Sequence, residues 1–347
     1  MRRFERTIRI GGREVGPGLP VYVIAEIGSN HDGSLERAKE LVEASAEAGA
    51  DAVKFQSFTA EGLLNPRKLD GGRWVDNPAW EAMRSLELPE AWHGELKEYC
   101  DGLGVEFLST PFDAERARLL KSLDTAAYKI ASGDVTNEPL LRLVGSFARP
   151  VVVSTGAASL GEAERALAVL GEAGCREAAL LHCVSLYPPR FEEINLRAMV
   201  SMGAALGVPV GLSDHTPGAT TAVAAAALGA SIIEKHITPD RSLEGPDHGY
   251  AMEPGEFAAM VKALRDLEKA MGDGVKGPSE REAAERVGAR RSIYAAAPIA
   301  EGEVVEARKL KIVRHGYGLA PSELERVVGR RARRAIAKDE LVTWEDL

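Results

Sequence analysis

Apolar and polar positions along this chain repeat on two different periods. Short β-branched runs at residues 21–28, 52–58, 106–112, 126–132, 150–156, 178–185, 208–216 and 231–238 read as strands. Between them, stretches rich in Ala, Leu, Glu and Arg carry helical spacing, as at 35–48, 113–122, 161–171 and 219–227. Each strand-plus-helix unit takes roughly 30 residues, the size of a βαβ unit. The strands are almost continuously apolar, which marks a parallel sheet buried on both faces. Eight such units predict a closed α/β barrel, the (β/α)8 or TIM barrel, rather than an open sheet. Residues 62–90, richer in Pro, Gly and Trp, read as an extended excursion over the barrel mouth after the second strand. A last helix, 254–271, closes the barrel, and a Gly- and Pro-rich stretch then reads as a linker. Short strands expected at 292–297, 311–313 and 332–336 make the remainder a small β-rich domain. The expected organisation is a barrel over 1–272, a linker over 273–285 and a cap domain over 286–347. A unit of that size buries little core by itself, so the cap is expected to dock on something.

Composition narrows the class. The 347 residues suit a barrel of about 250 plus an extra domain. Apolar and charged fractions of 45% and 27% are those of a soluble globular protein. No run approaches the roughly 20 apolar residues of a membrane span, and the N-terminus has no apolar core of a signal peptide. Cys100, Cys175 and Cys183 are few, odd in number and unpatterned, which suggests neither a disulfide framework nor a zinc site. A cytoplasmic setting is expected. The net charge of −9 argues against nucleic acid as a partner, and no membrane partner is expected either. It does not exclude an anionic substrate, because a few focused lysines outweigh a distant acidic surface. Residues 286–347 carry thirteen Lys/Arg against nine Asp/Glu and are net basic.

Candidate chemistry follows from where the polar residues fall. Catalytic groups of a barrel project from the C-terminal ends of its strands. Here nearly every apolar run ends in functional side chains: Glu26; Lys54 and Gln56; Ser109 and Thr110; Lys129 and Ser132; Ser154 and Thr155; His182 and Ser185; Ser213, Asp214 and His215; Glu234 and His236. Any single Ser or Thr is adequately explained as a satisfied barrel group or a helix cap. Two lysines pointing into an apolar barrel are not, because a buried ammonium needs a counter-charge or an anionic ligand. Lys54 and Lys129 with the strand-end hydroxyls form a cradle for phosphate and carboxylate. His215 and His236 end the seventh and eighth strands. From spacing alone they either share one divalent cation or divide into an acid/base and a structural residue. His182 reads as structural or as a group that orients its neighbours, and His31 in the first strand–helix loop stays open.

Ordered motifs then carry a resemblance. Ile24-Ala-Glu-Ile-Gly-Ser-Asn-His, Ala48-Gly-Ala-Asp-Ala-Val-Lys-Phe-Gln, Ser109-Thr-Pro-Phe-Asp, Tyr128-Lys-Ile-Ala-Ser-Gly-Asp, His182-Cys-Val-Ser-Leu-Tyr-Pro, Leu212-Ser-Asp-His-Thr, Ile233-Glu-Lys-His and Glu244-Gly-Pro-Asp-His resemble the sialic acid synthases. The segment from Arg290-Arg-Ser-Ile-Tyr through Arg314-His-Gly-Tyr resembles their antifreeze-like (SAF) cap domain. The resemblance implies condensation of phosphoenolpyruvate with an open-chain N-acetylmannosamine-type aldehyde, giving a nonulosonate and phosphate. It implies His215 and His236 as ligands of a divalent cation, manganese in the first place with magnesium or cobalt as substitutes. Lys54, Thr110, Lys129, Ser132, Ser154, Ser185 and Ser213 would hold phosphoenolpyruvate. Gln56, Asp134, Tyr187, Asp247 and Arg314 would contact the sugar, the arginine donated by the partner of a domain-swapped homodimer. Glu26, Glu234 and Lys129 would be catalytic, with Glu26 or Glu234 handling the attacking water.

Three departures bear on the acceptor. Asp134 stands where many bacterial members have Glu, and the run Gly249-Tyr-Ala-Met stands where Ser is common near Ala251. His315 follows the arginine in place of the usual Pro. A legionaminate- or pseudaminate-type synthase taking a diacetamido-trideoxy hexose is the alternative reading. More distant rivals are a synthase using a phosphorylated sugar, which generally lacks the cap, a Schiff-base aldolase using Lys54 or Lys129, and a carbohydrate- or ice-binding protein with an inert barrel.

Overall fold

Eight parallel strands alternate with eight helices in the first part of the chain. They are β1 (Tyr22–Gly28), α1 (Leu35–Glu47), β2 (Ala52–Ser57), α2 (Glu90–Leu103), β3 (Glu106–Pro111), α3 (Ala114–Ser122), β4 (Tyr128–Ile130), α4 (Glu138–Gly145), β5 (Val151–Ser154), α5 (Leu160–Ala173), β6 (Ala178–Cys183), α6 (Arg197–Leu206), β7 (Val210–Asp214), α7 (Thr220–Ala227), β8 (Ile232–His236) and α8 (Pro254–Met271). The computed structural model describes residues 4–347. Neighbouring strands follow the order β3-β2-β1-β8-β7-β6-β5-β4, and β3 lies beside β4 at the remaining seam, so the sheet curls into a nearly closed barrel.

The two-residue period of a strand sorts its side chains into two nested cores. Inward-facing Tyr22, Ile24, Ala52, Leu108, Val152, Ala179, Leu181 and Ile232 fill the lower barrel. They pack on Ile8, Ile10 and Val15 of an N-terminal hairpin, Ile8–Ile10 with Arg13–Val15, which the sequence pattern did not reveal. The residues between them, among them Val23, Val53, Phe55, Phe107, Val153, Leu180, Leu212 and Ile233, pack outward against the helices. Gly211 is an inward position where bulk is barred, since a Cβ there would come within 2.2 Å of the Ile232 carbonyl oxygen. Two residues further along each strand the inward series turns polar, which places the chemistry at the C-terminal rim.

Helix starts are well specified. Ser34 caps α1 by accepting from the Arg37 N–H, and Ser159 with Glu162 closes a capping box on α5. α8 begins with Pro254 in its first turn. The excursion after β2 holds a short helix, Ala60–Leu63, an exposed hairpin, Arg67–Asp70 with Arg73–Asp76, and a helix, Pro78–Arg84. No helix among the described residues is long and apolar enough to cross a membrane.

The chain divides into two compact units, Met1–Gly272 and Asp273–Leu347. The second contains a helix, Glu282–Ala289, which crosses the boundary expected between linker and cap. An antiparallel pair follows, β9 (Arg291–Ala295) with β10 (Leu310–Arg314). The third strand expected at 332–336 is not formed. Ala332 and Ile336 instead touch the 299–305 segment through separate backbone contacts, and Ile299↔Ile336 is an isolated bridge. Ile293, Ile299, Val305, Val327, Ile336, Val342 and Leu347 form this unit's own core.

Candidate active site

The C-terminal rim of the barrel encloses a cavity of about 660 Å³. Inward positions supply Glu26, Lys54, Gln56, Thr110, Lys129, Ser154, Cys183, Ser213, Glu234 and His236, and the loops beyond the strands add Ser132, Ser185, Tyr187, His215 and Asp247. All of the expected phosphoenolpyruvate positions and both histidines are therefore brought together, as are Gln56, Tyr187 and Asp247 of the expected sugar set.

Asp134 is not. It lies in the turn Ser132–Asp134, half-buried, and its carboxylate accepts from Asn137 Nδ2 at 2.9 Å, which ties it to the start of α4 instead of the cavity. Arg314 ends β10 in the second unit with its side chain exposed. His182 faces outward, bonded through Nε2 to the Ile194 carbonyl at 2.6 Å. Asp214 also faces outward. It pairs with the buried Lys235 at 2.8 Å and accepts from Thr216 and Thr221, a scaffold cluster behind the sheet.

Four charged side chains form the floor of the cavity. Lys54 Nζ lies 2.6 Å from Glu26 and 3.7 Å from Glu234, and Lys129 Nζ lies 3.9 Å from Glu234. All four are at most 4% exposed. Lys54 also donates to Thr110 at 3.2 Å, Lys129 to Ser154 at 2.6 Å, and Ser213 to Glu234 at 2.9 Å. The carboxylates behave oppositely. Burial pushes Glu26 up to about 7, with Lys54 only partly opposing and the charge of Glu234 adding to the rise. Glu234 is buried as deeply, yet Lys129, Lys54 and the Ser213 hydroxyl outweigh that and hold it at about 2. Burial lowers Lys129, with Glu234 opposing, whereas Glu234 and Glu26 overcome burial to raise Lys54. Glu234 Oε2 is buried without a hydrogen-bond partner, whereas Glu26 Oε2 faces the Lys54 ammonium. A group such as Glu234 Oε2 awaits either a ligand or a proton.

On one side stand the histidines, with ring centroids 5.3 Å apart. Burial lowers both, His215 to about 4 with His236 adding to the effect, so both imidazoles are neutral. His215 Nδ1 donates to the Val184 carbonyl at 3.2 Å, which leaves Nε2 with its lone pair free. No group of three or more His, Cys, Asp or Glu side chains is arranged to hold a metal among the described residues. The imidazole pair is what this side of the rim could offer a cation.

Gly156 permits a close approach. A Cβ there would meet Ser185 Oγ at 2.2 Å and Ser132 Oγ at 2.9 Å, so the backbone sits directly against two hydroxyls of the cradle. Phe58, Met83, Leu86 and Phe112 supply an apolar wall. The sequence pattern did not single out Cys183 or this wall. Cys183 stands two residues beyond Leu181 on the inward series and was legible by parity, whereas Met83 and Leu86 come from the excursion, where no period applies.

The chain matches the NeuB family over residues 41–276 and the SAF domain over 290–347. The chain belongs to the NeuB family. It is 39% identical over 342 residues to the N,N'-diacetyllegionaminic acid synthase of Legionella pneumophila, covering 96% of each chain. It is 38% identical over 321 residues to a pseudaminic acid synthase of Campylobacter jejuni, covering 91% of this chain and 93% of that one. Among solved structures, the N-acetylneuraminic acid synthetase of Leptospira borgpetersenii superposes with a TM-score of 0.73 at 33% identity, over 82% of this chain and 96% of that one. This NeuB-family protein is an enzyme of the sialic, legionaminic and pseudaminic acid synthase group, joining a unit derived from phosphoenolpyruvate to a sugar.

Proposed function

We propose that the cavity condenses phosphoenolpyruvate with the open-chain aldehyde of an N-acetylmannosamine-type sugar and releases inorganic phosphate. The observation that carries this reading is the pair of inward lysines, Lys54 and Lys129, set against the carboxylates of Glu26 and Glu234 beside the paired rings of His215 and His236. Lys54 and Lys129, with Thr110, Ser132, Ser154, Ser185 and Ser213, hold the phosphate and carboxylate of phosphoenolpyruvate. Gln56, Tyr187 and Asp247 orient the acceptor so that its aldehyde carbon faces the methylene carbon. A carbon–carbon bond forms there, positive charge develops at the adjacent carbon, and water adds to it. The carbon–oxygen bond to phosphate then breaks. Glu26, poised near neutrality, takes the proton of the attacking water. Glu234 stays ionised, balancing the lysines and the developing positive charge. His215 and His236 fit a divalent cation, manganese in the first place; when bound, it supplies Lewis-acid polarisation of the aldehyde oxygen.

The apolar wall of Phe58, Met83, Leu86 and Phe112 favours a second reading of the acceptor, a diacetamido-trideoxy hexose, whose acetamido groups and deoxy positions present apolar surface where an ordinary hexose has hydroxyls. It accords with the names of the Legionella and Campylobacter relatives. We also assign Arg314 to the sugar site of a partner subunit, in a domain-swapped homodimer of a cytoplasmic enzyme. Phosphate release from phosphoenolpyruvate, screened against both acceptor types with and without manganese, tests these readings together. Release with neither acceptor, or imine trapping by borohydride with pyruvate, would overturn the condensation.

A further inference from the structure

Tyr250 lies outside the strands, in the turn His248–Tyr250 that follows Asp247. It is 5% exposed. Its ring centroid stands 5.2 Å from that of His236 at 68° and 5.8 Å from that of His215 at 88°, edge-to-face with both. One aromatic ring thus walls the imidazole pair. Its hydroxyl donates to Asp247 Oδ1 at 2.5 Å. The other oxygen, Asp247 Oδ2, faces His236 Nδ1 at 3.7 Å, and that nitrogen is buried with no hydrogen-bond partner. Gly28 confines the carboxylate from the opposite side. Its φ is +56°, and a Cβ there would stand 3.3 Å from Asp247 Oδ2. At 3.7 Å the carboxylate is beyond hydrogen-bond range of the ring. It still favours the tautomer with the proton on Nδ1, which leaves the Nε2 lone pair for a ligand.

We propose that Tyr250 is a positioning residue: by holding Asp247 it fixes the tautomer and rotation of His236, and so sets the affinity of the imidazole pair for a divalent cation. Asp247 then has two tasks, one oxygen tied to the phenol and the other turned toward the ring, in addition to any contact with the sugar. The inference rests on His215 and His236 being cation ligands.

The test is manganese binding to the full chain without substrates, followed by the electron paramagnetic resonance signal of the free ion. Wild type should bind manganese and His236→Ala should not. Absence of binding to wild type, or undiminished binding to His236→Ala, overturns the ligand assignment and the inference with it. With that assignment secure, Tyr250→Phe keeps the ring and should weaken binding about tenfold. Asp247→Asn should do the same, and the double variant should bind no more weakly than the weaker single, because both act through one chain of contacts. Tyr250→Phe binding like wild type, or two effects that add, overturns the inference and leaves the ligand assignment standing. Should Tyr250→Phe fail to fold, Asp247→Asn decides alone: unchanged affinity there overturns the role.

Discussion

Replacing Glu26 by Gln removes one titrating proton from the centre of the charge cluster and changes little in shape. The carboxyl is 1% exposed, and burial raises it from 4.5 to about 7, with Lys54 only partly opposing. A group whose folded value is raised contributes stability that is complete below its unfolded value and is lost as pH rises through the folded one. The loss therefore builds between 4.5 and about 7 and is constant above that. At about 1.4 kcal/mol per unit it amounts to about 3 kcal/mol. Glutamine does not titrate in this window, so the variant lacks that slope. Urea unfolding at several pH values between about 4 and 8 should show the variant gaining about 3 kcal/mol on wild type from the acid to the alkaline end. The same substitution should lower kcat by about 10²–10⁴, the usual contribution of a positioned base. The KM for phosphoenolpyruvate should move far less, since both lysines remain. If the stability difference were flat with pH, or turnover stayed within about threefold of wild type, neither the burial argument nor the assignment of Glu26 over Glu234 would survive.

Lys129→Met leaves Glu234 beside a single lysine and removes the phosphate contact proposed for Lys129. The KM for phosphoenolpyruvate should rise by about 30-fold or more, from a loss of at least about 2 kcal/mol, and an unchanged KM would show that the anion lies elsewhere. Gly156→Ala drives a methyl group into Ser185 and Ser132. Phosphoenolpyruvate affinity measured by calorimetry should fall while the melting temperature moves only slightly, and equal affinity would remove those hydroxyls from the cradle. Arg314→Ala should raise the KM for the sugar without unfolding the barrel, as seen by circular dichroism. A fully active monomer in light scattering would end the idea that the arginine acts across subunits.

Much of the fold could be read in advance because two physical periods coexist in the chain. Inward strand positions stay apolar until the rim and then turn polar, so Glu26, Lys54, Lys129, Ser213, Glu234 and His236 were all visible as interruptions of an apolar run. The same parity explains Asp214 and His182, which share those runs but lie one residue out of phase and face the helices. What escaped lies where no period operates. The N-terminal hairpin has strands of three residues, too short to show alternation. The expected strand at 332–336 has strand-like composition but meets its neighbour only at separate points, so no ladder forms. Asp134 occupies the right place in a motif, yet a nearby Asn137 captures its carboxylate. Tyr250 gave no signal, because its importance comes from what it touches across a turn.

The alternation along the staves also shapes how such an enzyme can diversify. Within a strand, a residue aimed at the cavity is flanked along the chain by residues aimed at the helices, so a one-residue slip would turn a whole stave inside out. Novelty is thereby channelled into the segments that reach the mouth without that bond: the excursion before α2, with Met83 and Leu86, and the turn around Asp247. A lineage can retool what it grips at the rim while inheriting its lysine-bearing chassis unaltered, and different sugars become a matter of fittings rather than of frame.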